Sequence, residues 1–262
     1  MRLGVLVAQS PNPEDPASFR DFTRAIEAEG FDSIWAPQMI GRGMMALDPL
    51  AAMTAAATAT DEIEVGTAIL QLPLYQPVDV LHRVLSLRQL AGDRLTLGVG
   101  PGSTAADFEA FGRDHATRFA AFTAALATLR EGLASGKVGE VDLTPPPTIL
   151  GRPRLIYGTW GKGVERAARH FDGWVASAFH RTDDEVIAAL PRYRAAGGGR
   201  AIVSSIVFPP GADPGKLRGR LDRFAEAGFD DAVVAVAGGP PALPVVRGLL
   251  PRTTSLPEEK PT

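Results

Sequence analysis

A short apolar run followed by an amphipathic stretch recurs along the whole chain. Leu3–Ala8 precedes a helical pattern at Ala17–Glu29, and Ser33–Ala36 precedes Pro49–Thr60, where the proline suits a first helical turn. Ile63–Leu70 precedes Asp79–Leu90, Leu95–Val99 precedes Arg118–Leu133, and Arg154–Tyr157 precedes Gly163–His170. Gly173–Ala176 precedes Asp183–Ala196, Ala201–Phe208 precedes Asp213–Ala227, and Asp231–Ala237 precedes Ala242–Leu250. Eight such units in 262 residues leave about 33 residues each, the size of one strand, one helix and two short loops.

Strands that are continuously apolar and alternate with helices predict a parallel sheet covered on both faces. A (βα)8 TIM barrel meets this pattern and leaves no strand at an edge. A doubly wound open sheet is the other solution, but its first-turn GxGxxG is absent, since Leu6 to Asn12 reads LVAQSPN. Gly30, Gly197–Gly199 and Gly228 stand where helices should stop, as left-handed caps. Two stretches fall outside the repeat. Pro101–Thr117 comes after the fourth strand, on the face where barrel active sites are built, and Ala134–Pro153 comes after the fourth helix, on the opposite face. Residues 1–250 are expected to form one domain, and 251–262, rich in Pro and charge, a disordered tail.

Composition narrows the chemistry. With 27 Lys and Arg against 30 Asp and Glu the net charge is −3, which argues against nucleic acid as a partner. There is no cysteine, which removes disulfides, thiol nucleophiles, iron–sulfur clusters and zinc–thiolate sites. No apolar run approaches the roughly 20 residues that span a bilayer, and no secretory signal is evident, so a cytoplasmic protein without a membrane partner is expected.

In a parallel barrel the site is built from the loops at the C-terminal ends of the strands. Here those loops supply Gln9 and Ser10, then Gln38, then Thr67 to Gln71, then Gly100, Gly102 and Ser103. Gly158 to Gly163 come next, then Ser177 and His180, then Ser204 and Ser205, and finally Gly238–Gly239. This rim is polar and almost uncharged. It carries no carboxylate pair, no metal-ligand spacing and no GxSxG elbow, so a bound cofactor is expected to carry the chemistry and no metal is called for. The strongest local signal is Tyr157-Gly158-Thr159-Trp160-Gly161-Lys162-Gly163 leading into a helix. Small residues expose backbone N–H groups, the helix start adds more, and Lys162 adds a charge, which together suit a phosphate. A tight turn without a ligand is the plainer alternative. Gly98-Val99-Gly100-Pro101-Gly102-Ser103 is a weaker cluster of the same kind; with the first it suggests a long ligand across the barrel mouth. His180 is a weak candidate proton donor; His82, His115 and His170 read as structural. Trp35 and Trp174 read as core.

Five segments then resemble the bacterial luciferase-like flavin-dependent oxidoreductases. They are Gly30-Phe31-Asp32-Ser33-Ile34-Trp35; Ile63 to Ile69 with Pro73 and Pro77; Gly92 to Gly100; Phe108-Glu109-Ala110-Phe111-Gly112; and Ala167 to Trp174. The resemblance implies a TIM-type barrel that binds FMN or the deazaflavin coenzyme F420 at its C-terminal mouth, and a homodimer. Carried over by position, Thr67 and Ala68 match the strand end behind the ring, where the family often holds a bulge or a non-proline cis peptide. Gly100, Gly102 and Ser103 match the loop beside the ribityl chain, and Gly158, Thr159, Trp160, Gly161, Lys162 and Gly163 match the phosphate loop. Gln9, Gln38, Leu70 and Ser177 are expected at the substrate pocket, with Gln38 also a weak catalytic candidate. Many deazaflavin members carry an Asp-His pair after the second-strand Trp; here Trp35 is succeeded by Ala36-Pro37-Gln38-Met39. The chain is shorter than most members, and the connection after the seventh strand is only Pro209–Pro214. Lys162, Arg42, Arg113 and Arg181 are available to an acidic coenzyme tail, and the helices over Leu50–Ala59 and Asp79–Leu90 to a two-fold axis.

The expected activity is therefore hydride transfer or oxygen activation on a small organic substrate, with FMN or coenzyme F420. The alternative is a non-catalytic flavin-binding protein with a degenerate pocket. A phosphosugar isomerase or aldolase would want a Lys or Glu at a strand end, and no Lys ends a strand.

Overall fold

The eight apolar runs pair into one closed parallel sheet. In the computed structural model, residues 1–40, 43–151 and 153–251 are described; Arg42 and the tail expected beyond Pro251 lie outside them. The strands are β1 (Arg2–Leu6), β2 (Ser33–Ala36), β3 (Glu64–Thr67), β4 (Leu95–Gly100), β5 (Arg154–Gly158), β6 (Gly173–Ser177), β7 (Arg200–Phe208) and β8 (Asp231–Val236). Their order is β3-β2-β1-β8-β7-β6-β5-β4, and β4 returns to β3 through Val65 opposite Leu95 and Gly66 opposite Thr96. That last pairing makes the sheet a barrel and removes every edge. The helices are α1 (Ser18–Ala28), α2 (Pro49–Ala59), α3 (Pro77–Ala91), α4 (Ala105–Ala110), α5 (Arg118–Ser135), α6 (Gly163–His170), α7 (Asp183–Ala195), α8 (Pro214–Ala227) and α9 (Leu243–Arg247).

Alternation along each strand sorts side chains into two cores. Ile34, Val65, Leu97, Leu155, Val203 and Val234 face outward into the large core under the helices. Trp35, Ile156, Val175, Ile202 and Val233 face inward and fill the barrel. Trp35 has no exposed surface, and its indole N–H donates to Ser33 Oγ at 2.8 Å. Glycines make room for it: a Cβ on Gly66 would lie 2.5 Å from Trp35 Cζ3 and 2.8 Å from the Thr96 carbonyl.

Below the indole, the first residues of β1, β3, β7 and β8 close the barrel floor with charge. Glu64 accepts from Arg2 Nη2 at 2.6 Å, from Arg200 Nη1 at 2.7 Å and from the Thr96 hydroxyl at 2.5 Å. Asp231 takes two hydrogen bonds from the Arg200 guanidinium, at 2.7 and 2.8 Å. Burial by itself would push Glu64 up, but Arg200, Arg2 and the Thr96 hydroxyl outweigh it and hold the carboxyl at about 2.

Helix ends match their capping residues. Asp48 accepts from the amides of Leu50 and Ala51 at 3.0 and 2.9 Å, and Thr182 and Glu185 form a reciprocal capping box on α7. Gly30, Gly197 and Gly228 have φ of 82°, 88° and 98°, as left-handed stops require. Both excursions carry secondary structure among their described residues. The first contains α4; the second contains a hairpin of Lys137–Val138 with Val141–Asp142. The structure departs from the sequence pattern in three places. The third strand breaks after Thr67 and resumes as Leu70–Gln71 beside β4. β7 carries a register shift between Val203 and Ile206, with Ser205 at φ 61°. The last helix spans Leu243–Arg247, shorter than the Ala242–Leu250 pattern.

Glu64→Gln is expected to destabilise the protein by about 3–5 kcal/mol at pH 7, because it leaves buried guanidinium charge uncompensated. Since the folded carboxyl lies below its unfolded value, its contribution is present above about pH 4.5 and is lost as pH falls toward 2. Urea unfolding at pH 7 and pH 3 should show the gap between the two proteins narrowing in acid; a gap independent of pH would contradict this account.

Candidate active site

The break in the third strand shapes the C-terminal mouth. The Ala68–Ile69 peptide is cis, in agreement with the expectation for this position. Thr67 is fully buried and its hydroxyl donates to the Gly98 carbonyl at 2.7 Å, so that group is spent on the scaffold. Ala68 and Ile69 both pack on the inner cluster and both stay partly exposed. Two successive inward side chains reverse the alternation. Leu70, expected at the pocket, therefore has no exposed surface and packs in the outer core. Ile69 lies between two glycines: a Cβ on Gly100 would come within 2.7 Å of Ile69 Cδ1, and one on Gly158 within 2.5 Å of Ile69 Cγ2. The result is an apolar shelf whose Ile69 side chain takes the space that side chains at 100 and 158 would fill.

Gly158 also starts the glycine-rich loop after β5. A Cβ on Gly163 would sit 1.9 Å from Thr159 Oγ1, so the Thr159 hydroxyl lies against the first residue of α6. Gly161 has φ 60° and no atom within 4 Å of its Cβ position; Gly161 and Lys162 are exposed. The Trp174 indole N–H donates to the Thr159 carbonyl at 3.1 Å and anchors the loop to the core. Cations gather here. The Arg181 guanidinium lies 5.1 Å from the Trp160 ring centre. Arg192 donates to the Gly161 carbonyl at 2.5 Å and neutralises Glu165, in the first turn of α6, at 2.8 Å. A helix N-terminus, a hydroxyl and nearby cations make a place for an anion.

The loops after β2, β3 and β4 are tied together by a buried polar network. Gln38 Oε1 accepts from the Gln71 main-chain amide at 2.7 Å, and its Nε2 donates to the Tyr75 hydroxyl. Gln71 Nε2 donates to Asp107 Oδ2 at 2.8 Å. Asp107, on α4, is fully buried. The Tyr75 hydroxyl donates to Asp48 Oδ2 at 3.5 Å, and burial together with Asp48 pushes the phenol up to about 12. Gln71 Oε1 is buried without a hydrogen-bond partner. It lies against Gly102, whose φ is 78° and whose Cβ would be 2.2 Å away. Gln38 sits on the wall of a pocket of about 470 Å³ shared with Tyr75, Asp48 and Phe111. Its side chain is 6 % exposed and both ends of the amide are engaged.

The remaining expected residues are spread around the rim. Gln9 is exposed and donates to the Met45 carbonyl at 3.0 Å. Ser103 and His180 are exposed, with His180 edge-on to Phe179 at 5.2 Å. Ser177 accepts from the Phe179 amide at 3.3 Å. Asp107 and Tyr75 are not legible as site residues in the sequence. Asp107 looks like an ordinary first-turn helix carboxylate; only packing shows that α4 turns it inward. Among the described residues no group of three His, Asp or Glu could hold a metal ion, and no helix is long and apolar enough to cross a membrane.

A parallel eight-stranded barrel with a glycine-bordered mouth defines a broad class of proteins, and sequence comparison narrows it. The family model "Luciferase-like monooxygenase" matches residues 1–208, and the chain belongs to that family. It is 33% identical over 111 residues to 4-hydroxyprotoasukamycin monooxygenase of Streptomyces nodosus subsp. asukaensis, covering 40% of this chain and 30% of that one. The match to the first curated relatives covers about half their length or less. The fold superposes on an F420-dependent secondary alcohol dehydrogenase in complex with an F420-acetone adduct, with TM-score 0.80, 16% identity, and 97% and 99% of the two chains covered. It also superposes on the oxygenating constituent of the 3,6-diketocamphane monooxygenase of Pseudomonas putida, in complex with FMN. There the TM-score is 0.62 with 18% identity, over 88% and 80% of the chains.

Asp107→Ala is expected to destabilise the protein by about 1–3 kcal/mol by leaving the buried Gln71 amide without its acceptor. Asp107→Asn, which keeps an oxygen there, should cost less. Equal losses in chemical denaturation would mean that the carboxylate is held for another reason.

Proposed function

We propose that the chain is an oxidoreductase that binds FMN or coenzyme F420 across the barrel mouth and uses it on a small organic substrate. The observation that carries this is the run of partly exposed residues from the Ala68–Ile69 shelf to Gly158, Thr159 and Trp160, which lead into α6. The residues present fit a flat ring with a phosphorylated chain. The shelf is apolar and partly exposed, Gly158 is partly exposed beside it, and the phosphate end has a hydroxyl, the start of α6 and cations. The coenzymes of related folds support the choice, F420 in one and FMN in another.

In this reading Thr159, Trp160, Gly161, Lys162 and Gly163 hold the terminal phosphate, with Arg181 adding charge. Gly102 and Ser103 border the ribityl chain, and Thr67 and Ala68 back the ring. When bound, the coenzyme supplies a hydride or, as reduced flavin, activates oxygen. The chain's own part is to orient the ring on a rigid shelf and to exclude water from one face. Gln9 and Ser177 remain rim positions for substrate. A second reading, a flavin-binding protein without turnover, has one observation in its favour: the connection after β7 is short, with Pro209 and Pro210 exposed, and provides little cover. A homodimer is proposed with the family resemblance as its support.

Titration of the apoprotein with FMN and with coenzyme F420, read by tryptophan fluorescence, should give saturable quenching with one of them. Trp160→Phe, which keeps an aromatic ring in the loop, should remove most of the quench. Lys162→Ala and Arg181→Ala should each weaken binding about three- to tenfold, more so at low salt. No response to either coenzyme would end the reading; binding without substrate-dependent reoxidation would favour the non-catalytic alternative.

A further inference from the structure

The polar network beside the mouth has a fixed direction, and it ends on one underused proton. Gln38 Oε1 accepts from a backbone N–H, which only the oxygen of the amide can do. Its Nε2 must then face Tyr75 and donate to the phenol oxygen. The Tyr75 proton is thereby turned away from Gln38. Its acceptor is Asp48 Oδ2 at 3.5 Å, against a usual O–H···O distance of about 2.7–2.8 Å. The other oxygen of that carboxylate, Oδ1, caps α2 through Leu50 and Ala51 and fixes where Oδ2 stands.

This proton sits on the wall of the pocket of about 470 Å³ between the loops after β2, β3 and β4. Apart from Gln38, Asp48 and Tyr75, the lining includes Met39, Ile40, Met44, Leu47 and Phe111. The volume suits a small organic molecule, and methionine side chains adapt to irregular apolar shapes. A single directed donor in an apolar wall recognises one acceptor oxygen on a hydrocarbon body. The Asp48 carboxylate beside it disfavours an anion.

We propose that the Tyr75 hydroxyl orients an uncharged, apolar substrate by donating to its one oxygen, and that Gln71 and Gln38 are positioning residues that aim this proton into the pocket. The phenol, held well above neutrality, stays protonated for the task. Calling the bound molecule a substrate rests on the oxidoreductase reading; its binding in this pocket does not.

The test uses the full chain without coenzyme and three probes, 2-octanone, octane and octanoate, titrated by ligand-observed NMR. The wild type should bind 2-octanone more tightly than octane or octanoate. Tyr75→Phe should weaken 2-octanone about three- to tenfold and leave octane unchanged, a split that a loss of packing would not produce. Gln38→Leu, which frees the phenol to rotate, should give a smaller loss in the same direction. If Tyr75→Phe fails to fold, Met44→Glu, on a side chain 41% exposed, should abolish binding of 2-octanone while thermal unfolding stays the same. Equal affinity of wild type and Tyr75→Phe for 2-octanone, preference for octanoate, or no binding to the wild type overturns the proposal. Coenzyme titration of the same samples separates the two ideas: retained coenzyme binding with no ketone binding removes only this one, and the reverse removes only the coenzyme reading.

Discussion

The interior of an eight-stranded barrel has to be filled, and in this protein one indole is the largest side chain of the inner cluster. Trp35 is wholly buried among Ile156, Val175, Ile202 and Val233. The rest of the barrel is built around its size. Gly66 has no Cβ because the indole already occupies that space, and a Cβ on Gly4 would lie 2.4 Å from the Ser33 hydroxyl that holds the indole N–H. With close packing on all sides, β2 cannot slip by one residue without exchanging this side chain with one from the outer core. Register, closure and the positions of the strand ends depend on that constraint.

Charge is divided between the two ends of the barrel. The floor carries Glu64 and Asp231 with Arg2 and Arg200, all interlocked at or below 3.2 Å. Glu64 and Asp231 are buried, the Arg2 and Arg200 side chains are 15% and 16% exposed, and the four pair with one another at the end of the barrel away from the mouth. At the mouth, cations stand at the start of α6 and an apolar shelf at the broken third strand. A ligand bound at the mouth as proposed, with one anionic end and a flat apolar portion, would leave the charge balance that holds the floor undisturbed.

The mouth also shows why glycine recurs at strand ends. Gly98 accommodates the Thr67 carbonyl, which would lie 1.9 Å from a Cβ at that position. Gly100 and Gly158 accommodate Ile69 in the same way. Each permits the third strand to leave the regular ladder and then return to it at Leu70 and Gln71. The departure is what lets Ala68 and Ile69 both face inward, and it places Gln71 where it can reach Gln38 and Asp107.

The order and spacing of apolar runs determined the eight strands, the helices between them, and hence the closed parallel barrel, because period-2 and period-3.6 burial are written locally. Glycine spacing marked the loop before α6, and the family segments marked the third-strand break near Ala68. Leu70 was misplaced because local alternation carries no sign of the two inward residues before it. Asp107, Tyr75 and the direction of the Gln38 amide were invisible for a similar reason. Their meaning comes from contacts between loops separated by 27 to 37 residues of chain. Local pattern fixes which face of an element is apolar; only the folded structure decides which polar groups on neighbouring loops are left to satisfy one another.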